Sequence, residues 1–279
     1  MSLISKNVKL HPPLKISSWR KVAIGTWRTA GDPSVYGMIE IDVQPALDYL
    51  EKLKAKTQAR ITLTHFFGKV MALALKKHPE INCILRFGKL YPRQSVDIFF
   101  QVASDEGGKD LSGTTVRNAH QKSIPEIAQE MDQKVREIRE KGDPSFKKMK
   151  NTMGLLPDLW IGFIIQVTGF ILYSLNLWSP LLGSPKDPFG SVMITNIGSL
   201  GLDAAFAPLV PYSRVPLLVA LGAIQEKPVI KQGKIEIGKT IKICATFDHR
   251  LIDGMHASKM VKFIQKIFEC PEQELGLSL

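Results

Sequence analysis

The sequence predicts an α+β domain, a mixed sheet flanked by helices and interrupted by one apolar helical insertion. Three observations lead there. Segments of strand and helix character interleave along the 279 residues without the regular β-α-β alternation of a doubly wound parallel sheet. Hydrophobic residues make up 44% of the chain and run through its whole length, enough for a sizeable core and too many for disorder. Residues 155–183 carry a single charge, Asp158, and stand apart from everything around them.

The elements follow in order. Residues 35–43 read as a strand, and a helix follows with Pro45 in its first turn and Leu47, Leu50 and Leu53 at helical spacing. Residues 62–77 form a second, mostly buried helix, apolar at Phe66, Phe67, Val70, Met71 and Leu75, which Pro79 stops. Residues 97–103 are a strand. Ser123 and Glu126 have the spacing of a capping box, opening a charged helix that runs to about residue 141. Strands are expected near 190–196 and 217–224, and a hairpin around Gln232-Gly233 leads into another over 240–247. A final helix over 255–269 turns Met260, Ile264, Ile267 and Phe268 inward.

Composition narrows the function classes. A formal net charge of +11 favours an anionic partner, whether a membrane surface or a phosphate-bearing ligand, although a solvated basic surface explains it equally well. No zinc-finger spacing or RNA-binding aromatic signature supports nucleic acid. Cys83, Cys244 and Cys270 are sparse and odd in number, so they read as reduced thiols, neither a disulfide frame nor a metal site. The first residues lack the apolar core of a signal peptide, which points to the cytoplasm.

One segment has the makings of chemistry: Asp248-His249-Arg250-Leu251-Ile252-Asp253-Gly254, where an alternating strand gives way to a helix. Histidine titrates near neutrality and can take and return a proton in one cycle. Asp248, Arg250 and Asp253 are placed to fix the loop, and Gly254 permits a tight turn. Structural ion pairing explains such a segment at least as often as catalysis does.

This heptapeptide resembles the D-H-R-x-x-D-G signature of the dihydrolipoyl acyltransferases, the core subunits of the 2-oxo acid dehydrogenase complexes. It is also similar to the corresponding segment of chloramphenicol acetyltransferase. Residues 188–201, with Thr195-Asn196-Ile197-Gly198, resemble the G-T-F-T-I-S-N-L-G strand and turn of the same family. Arg20-Lys21, the helix ending at residues 76–82, residues 122–128 and residues 217–235 also fall in family order. The resemblance covers nearly the whole chain except the apolar stretch. It implies a single catalytic domain over 1–279 with the chloramphenicol acetyltransferase-like fold, interrupted by the insertion at 155–183.

The resemblance also implies a mechanism. His249 would be the general base that deprotonates an attacking thiol, with CoA or acyl-CoA as substrate and no metal. Thr195 would take the place of the family's serine, whose hydroxyl stabilises the tetrahedral oxyanion. Asp253 would organise the loop through an ion pair with Arg20, and Arg250, Gly254 and Asn196 would support the site. Family members are trimers with the active site between subunits, so a homotrimer is implied.

Two departures bear on the substrate. No lipoyl domain or Ala/Pro-rich linker is present, so a lipoylated or other acceptor would come in trans. The insertion replaces a short connection, and three readings of it stand: a segment lying in a membrane interface, with Trp160, Tyr173 and Trp178 at headgroup level beside Lys147, Lys148 and Lys150; a contact with a neighbouring subunit; or a membrane span. The first would place the protein peripherally on the inner face of the cell membrane. The rival functions are a catalytically silent trimeric scaffold and a binder of anionic surfaces.

Overall fold

The computed structural model describes residues 5–15, 33–57, 59–103, 111–141, 158–180, 185–231 and 233–276. After the short β1 (Ser5–Lys6), β2 (Ser34–Asp42) leads into α1 (Gln44–Thr57) and α2 (Leu63–Lys77). A hairpin of β3 (Cys83–Arg86) and β4 (Lys89–Pro92) precedes β5 (Ile98–Ala103) and β6 (Leu111–Val116). Then come α3 (Ile124–Lys141) and α4 (Asp158–Gly169), which continues as a π-helical turn over Phe170–Ser174. Strands β7 (Leu177–Trp178), β8 (Val192–Asn196), β9 (Leu217–Leu221), β10 (Gln225–Lys231) and β11 (Lys234–Asp248) follow. Helices α5 (Gly254–Glu269) and α6 (Pro271–Leu275) close the described chain.

Seven strands form one sheet in the order β10-β11-β9-β8-β5-β6, with β2 also paired to β11. The β5–β8 and β8–β9 pairs are parallel, and the other pairs in the sheet are antiparallel. This is the mixed α+β sheet that the sequence predicts.

Alternation along each strand divides the sheet into two faces. Ile98 and Phe100, Val192 and Ile194, Leu217 and Val219, and Ile243 and Phe247 join the main core with α1, α2, α3 and α5. Phe99, Met193 and Leu218 pack on the other face beneath Phe189, Ala207 and Leu209, while Ala220 and Cys244 pack there with Ile197 and Ala205.

Most boundaries fall where the sequence places them, and the capping box at α3 is formed, with the Ser123 N–H donating to Glu126 Oε2 at 2.6 Å. Two strands differ. β8 begins at Val192 because Gly190 turns the chain in the left-handed region (φ +63°) hard against the backbone of Asp97, where a Cβ would lie 2.5 Å from the Asp97 oxygen. β11 begins six residues before the expected 240, at Lys234, because the hairpin register carries on to the Lys231–Lys234 pair. β1, β3, β4, β6 and β7 are not anticipated: four of them are two to four residues long and so too short to show a period, and β6, Leu111–Val116, has no apolar alternation.

The insertion folds back onto the body of the domain. Leu172 and Tyr173 are buried against Val8 and Ile84. The Asn176 side chain accepts the Val8 N–H at 2.6 Å and donates to the Val8 carbonyl at 2.8 Å, tying the insertion to the N-terminal segment. The expected headgroup position of Tyr173 is therefore corrected: its ring is 1% exposed and meets Tyr212 edge-on at 6.3 Å. Among the described residues no helix is long and apolar enough to cross a membrane. The side chain of Trp160 and the basic run at 147–150 lie outside the described residues.

Candidate active site

The turn after β11 is built around a buried ion pair. Asp248 Oδ1 accepts from the backbone N–H of Arg250 and from its Nε, both at 2.9 Å, and Oδ2 accepts from Nη2 at 2.6 Å. Both side chains are about nine-tenths buried, at 9% exposure each. The Leu251 and Ile252 N–H groups close the turn onto the Asp248 carbonyl, and the His249 N–H donates to the Pro33 carbonyl at 2.8 Å, fastening the turn to the start of β2.

His249 projects from the middle of this turn, half-buried. Its Nδ1 lies 3.0 Å from the Ile252 carbonyl oxygen. A carbonyl only accepts, so Nδ1 carries the proton in this contact and Nε2 is the acceptor nitrogen of the ring. That tautomer suits a general base acting through Nε2.

Asp253 is the N-cap of α5. Its Oδ1 accepts the His256 N–H at 3.0 Å, and the Asp253 N–H in turn faces His256 Nδ1 at 3.4 Å, a reciprocal cap that fixes where the helix starts. Asp253-x-x-His256 was legible as a capping pattern, but histidine rarely fills the role of Glu or Gln. Arg20, the expected partner of Asp253, lies outside the described residues. Gly254 is exposed at the first position of α5, with no atom within 4 Å of where a Cβ would stand.

Thr195 sits in β8, in register with Ala220 of β9, which in turn pairs with Cys244 of β11. It shares the helix-distal face with Met193, while Val192 and Ile194 face the helices. Asn196 secures the turn beyond it: its Nδ2 donates to Thr64 Oγ1 at 2.9 Å, and its Oδ1 accepts the Ser199 N–H at 3.1 Å.

Within one chain Thr195 and His249 do not meet. Thr195 is two strands across from Cys244, and His249 is five residues beyond Cys244 along the chain. At about 3.3 Å per residue and about 4.8 Å per strand, their Cα atoms stand about 19 Å apart. The chain therefore presents an imidazole at one end of its sheet and a hydroxyl towards the other.

The two buried cysteines are poor nucleophiles. Burial pushes the Cys83 thiol up to about 12 and raises that of Cys244, so neither forms a thiolate readily. His65 is buried and held neutral, pushed down to about 4 by burial, with Nδ1 accepting the Thr62 N–H at 3.2 Å. Among the described residues no cluster of His, Cys, Asp or Glu could hold a metal.

Comparison with known proteins gives this geometry a family. The family described as 2-oxoacid dehydrogenases acyltransferase (catalytic domain) matches residues 15–151 and 188–275, leaving out the insertion. The chain is 26% identical over 257 residues to the dihydrolipoyllysine-residue acetyltransferase component of the pyruvate dehydrogenase complex of Staphylococcus epidermidis. That match covers 90% of this chain and 49% of the relative, so the chain spans about half the length of the curated relatives it matches.

Among solved structures, the dihydrolipoamide acetyltransferase of Azotobacter vinelandii aligns with a TM-score of 0.64 at 18% identity, over 94% of this chain and 99% of that one. It comes from a study of a serine, a histidine and an asparagine in that enzyme's catalytic mechanism. Chloramphenicol acetyltransferase aligns with a TM-score of 0.53 at 16% identity, over 92% and 99% of the two chains. With its sheet, its flanking helices and the His249 turn all falling inside the matched residues, the chain belongs to the 2-oxoacid dehydrogenase acyltransferase catalytic-domain family.

Proposed function

We propose that this chain transfers an acyl group between CoA and a thiol acceptor, with His249 as general base and Thr195 as oxyanion donor. The observation that carries the reading is the Nδ1 contact to the Ile252 carbonyl, which favours the neutral tautomer with its proton on Nδ1 and so supports Nε2 as the base. His249 Nε2 takes the proton of the attacking thiol, the thiolate adds to the thioester carbonyl, and the tetrahedral oxyanion accepts a hydrogen bond from the Thr195 hydroxyl. Collapse breaks the old C–S bond, and His249 returns its proton to the departing thiolate. A donor aimed at charge present only in the transition state is worth about 3 kcal/mol.

Spacing in the Azotobacter enzyme supports the assignment. Its histidine and asparagine are four positions apart, as are His249 and Asp253, and its serine stands 52 positions before the histidine against 54 from Thr195 to His249. Asp253 acts here by capping α5 and so holding the turn that carries the base.

The separation of about 19 Å supports an assembly with shared sites. A base and an oxyanion donor so far apart serve one thioester only if each comes from a different copy, so the working unit is an oligomer, for which a homotrimer with sites between neighbours is the simplest closed form. The acceptor is a dihydrolipoyl or other thiol.

The insertion gives this enzyme a lipid-facing surface. Phe163, Val167 and Phe170 form one stripe at helical spacing and are 40–58% exposed, and Phe87 at the β3–β4 tip meets Phe170 edge-on at 6.2 Å. Lys6, Lys9, Lys15, Arg86, Lys89 and Lys186 lie in neighbouring described segments, and two carboxylates beside them are already paired, Asp187 with Arg93 and Asp97 with Arg117. Aromatic side chains set among cations suit an anionic bilayer surface. Flotation with vesicles containing phosphatidylglycerol should carry the wild type upward and leave Phe163→Glu/Phe170→Glu behind. Equal flotation, or loss of oligomer in the variant, assigns the face to something other than lipid.

Acyl transfer to dihydrolipoamide from a panel of acyl-CoAs tests the main reading. Wild type should exceed His249→Ala by at least about 100-fold on its best donor. Equal background rates across the panel would remove the acyltransferase assignment and favour a silent scaffold.

A further inference from the structure

Under the His249 turn, the helix-side face of the sheet and α5 leave a cavity of ≈ 380 Å³. Its described lining is apolar except for Ser258. Small residues make the room: Gly37 on β2, Ala245 on β11, and Gly254 and Ala257 on α5 all face it. A Cβ added at Gly37 would meet nothing nearer than the Phe247 ring at 3.6 Å.

A gap of this size is not ordinary packing slack. Protein cores hold few voids larger than a water molecule, whereas small-molecule sites begin at roughly 300 Å³. With almost no polar lining, the cavity offers water few hydrogen bonds and suits a hydrocarbon instead. Its position ties it to the chemistry. Phe247, Ile252 and Gly254 bracket His249 in sequence and all line the cavity, and Ile252 also supplies the carbonyl that holds the imidazole.

We propose that this cavity receives the hydrocarbon tail of the acyl donor and makes the enzyme selective for medium-chain acyl groups. The inference rests on the acyl-transfer reading above and adds the substrate class to it. At about 30 Å³ per methylene-sized group, the cavity holds roughly a dozen such groups when filled, and because it is open on one side a chain of about six to ten carbons suits it.

The test compares acetyl-, butyryl-, octanoyl- and decanoyl-CoA on wild type, Ala257→Phe and Gly37→Val, two variants that fill the cavity from opposite walls. Each methylene buried should raise kcat/KM about fourfold, so octanoyl-CoA should exceed butyryl-CoA by at least about tenfold in the wild type. Both variants should lose at least about tenfold on octanoyl-CoA and stay within about twofold on acetyl-CoA. A flat wild-type profile, or equal losses on short and long donors in both variants, overturns the proposal while leaving acyl transfer intact. Calorimetric titration with decanoate decides the matter without turnover. Saturable binding by the wild type that both variants lose supports the chain site even if no acyl-CoA reacts; binding unaffected by either substitution, or none at all, rejects it.

Discussion

Replacing Asp248 by alanine should destabilise the domain by about 3–5 kcal/mol, because it strands a buried guanidinium without its carboxylate. The structure gives the terms. Asp248 accepts Nε and Nη2 of Arg250 at 2.6–2.9 Å and also the Arg250 N–H, and the pair is about nine-tenths buried. A loss of that size is a large part of the roughly 5–15 kcal/mol that holds most domains folded. Arg250→Met should cost a similar amount by burying a carboxylate without its cation. The double variant Asp248→Ala/Arg250→Met removes both charges and should lie only about 1–2 kcal/mol below wild type, more stable than either single variant. Urea unfolding measures all four corners of the cycle; at an m-value of about 2–3 kcal/mol/M, the single changes shift the midpoint by about 1–2 M. If the two single losses simply add in the double variant, the ion pair is not what shapes the His249 turn, and the reasoning fails.

Two further outcomes follow from the same geometry. His65 is neutral in the folded protein down to about pH 4, whereas the unfolded chain takes up that proton near 6.5, so stability present above pH 6.5 is lost as the pH falls towards 4, by about 3 kcal/mol in all. His65→Gln should flatten the stability–pH curve over that window, and parallel curves for variant and wild type would contradict the assignment. Asp253→Ala should cost about 1 kcal/mol through the lost cap of α5, lowering Tm by about 2–4 °C, with Asp253→Asn restoring most of it; equal Tm values for alanine and asparagine would mean the cap is not what Asp253 contributes.

Much of this architecture was legible residue by residue. The helical spacing of Leu47, Leu50 and Leu53, the Ser123–Glu126 box and the alternation entering Asp248 are local signals, and local signals survive folding. What escaped detection depends on distant partners. Nothing near Tyr173 announces that Val8 and Ile84 will enclose it, and nothing near His249 foretells the Pro33 carbonyl or the cavity that Gly37 and Ala257 open together from separate elements. Thr195 and His249 were each picked out by their surroundings in sequence. Their separation became visible only once the register linked Thr195, Ala220 and Cys244 into one row.

That separation makes the central claim, a site shared between copies, directly measurable. His249→Ala and Thr195→Ala chains, each nearly inactive alone, are co-expressed in equal amounts with two different tags, and the mixed oligomers are purified through both. If each site draws its base from one chain and its oxyanion donor from a neighbour, every doubly tagged trimer holds one intact site in three, and the mixture regains about one third of wild-type activity per site. If both groups act within a single chain, the mixture stays at the level of the parent variants, below about 1% of wild type.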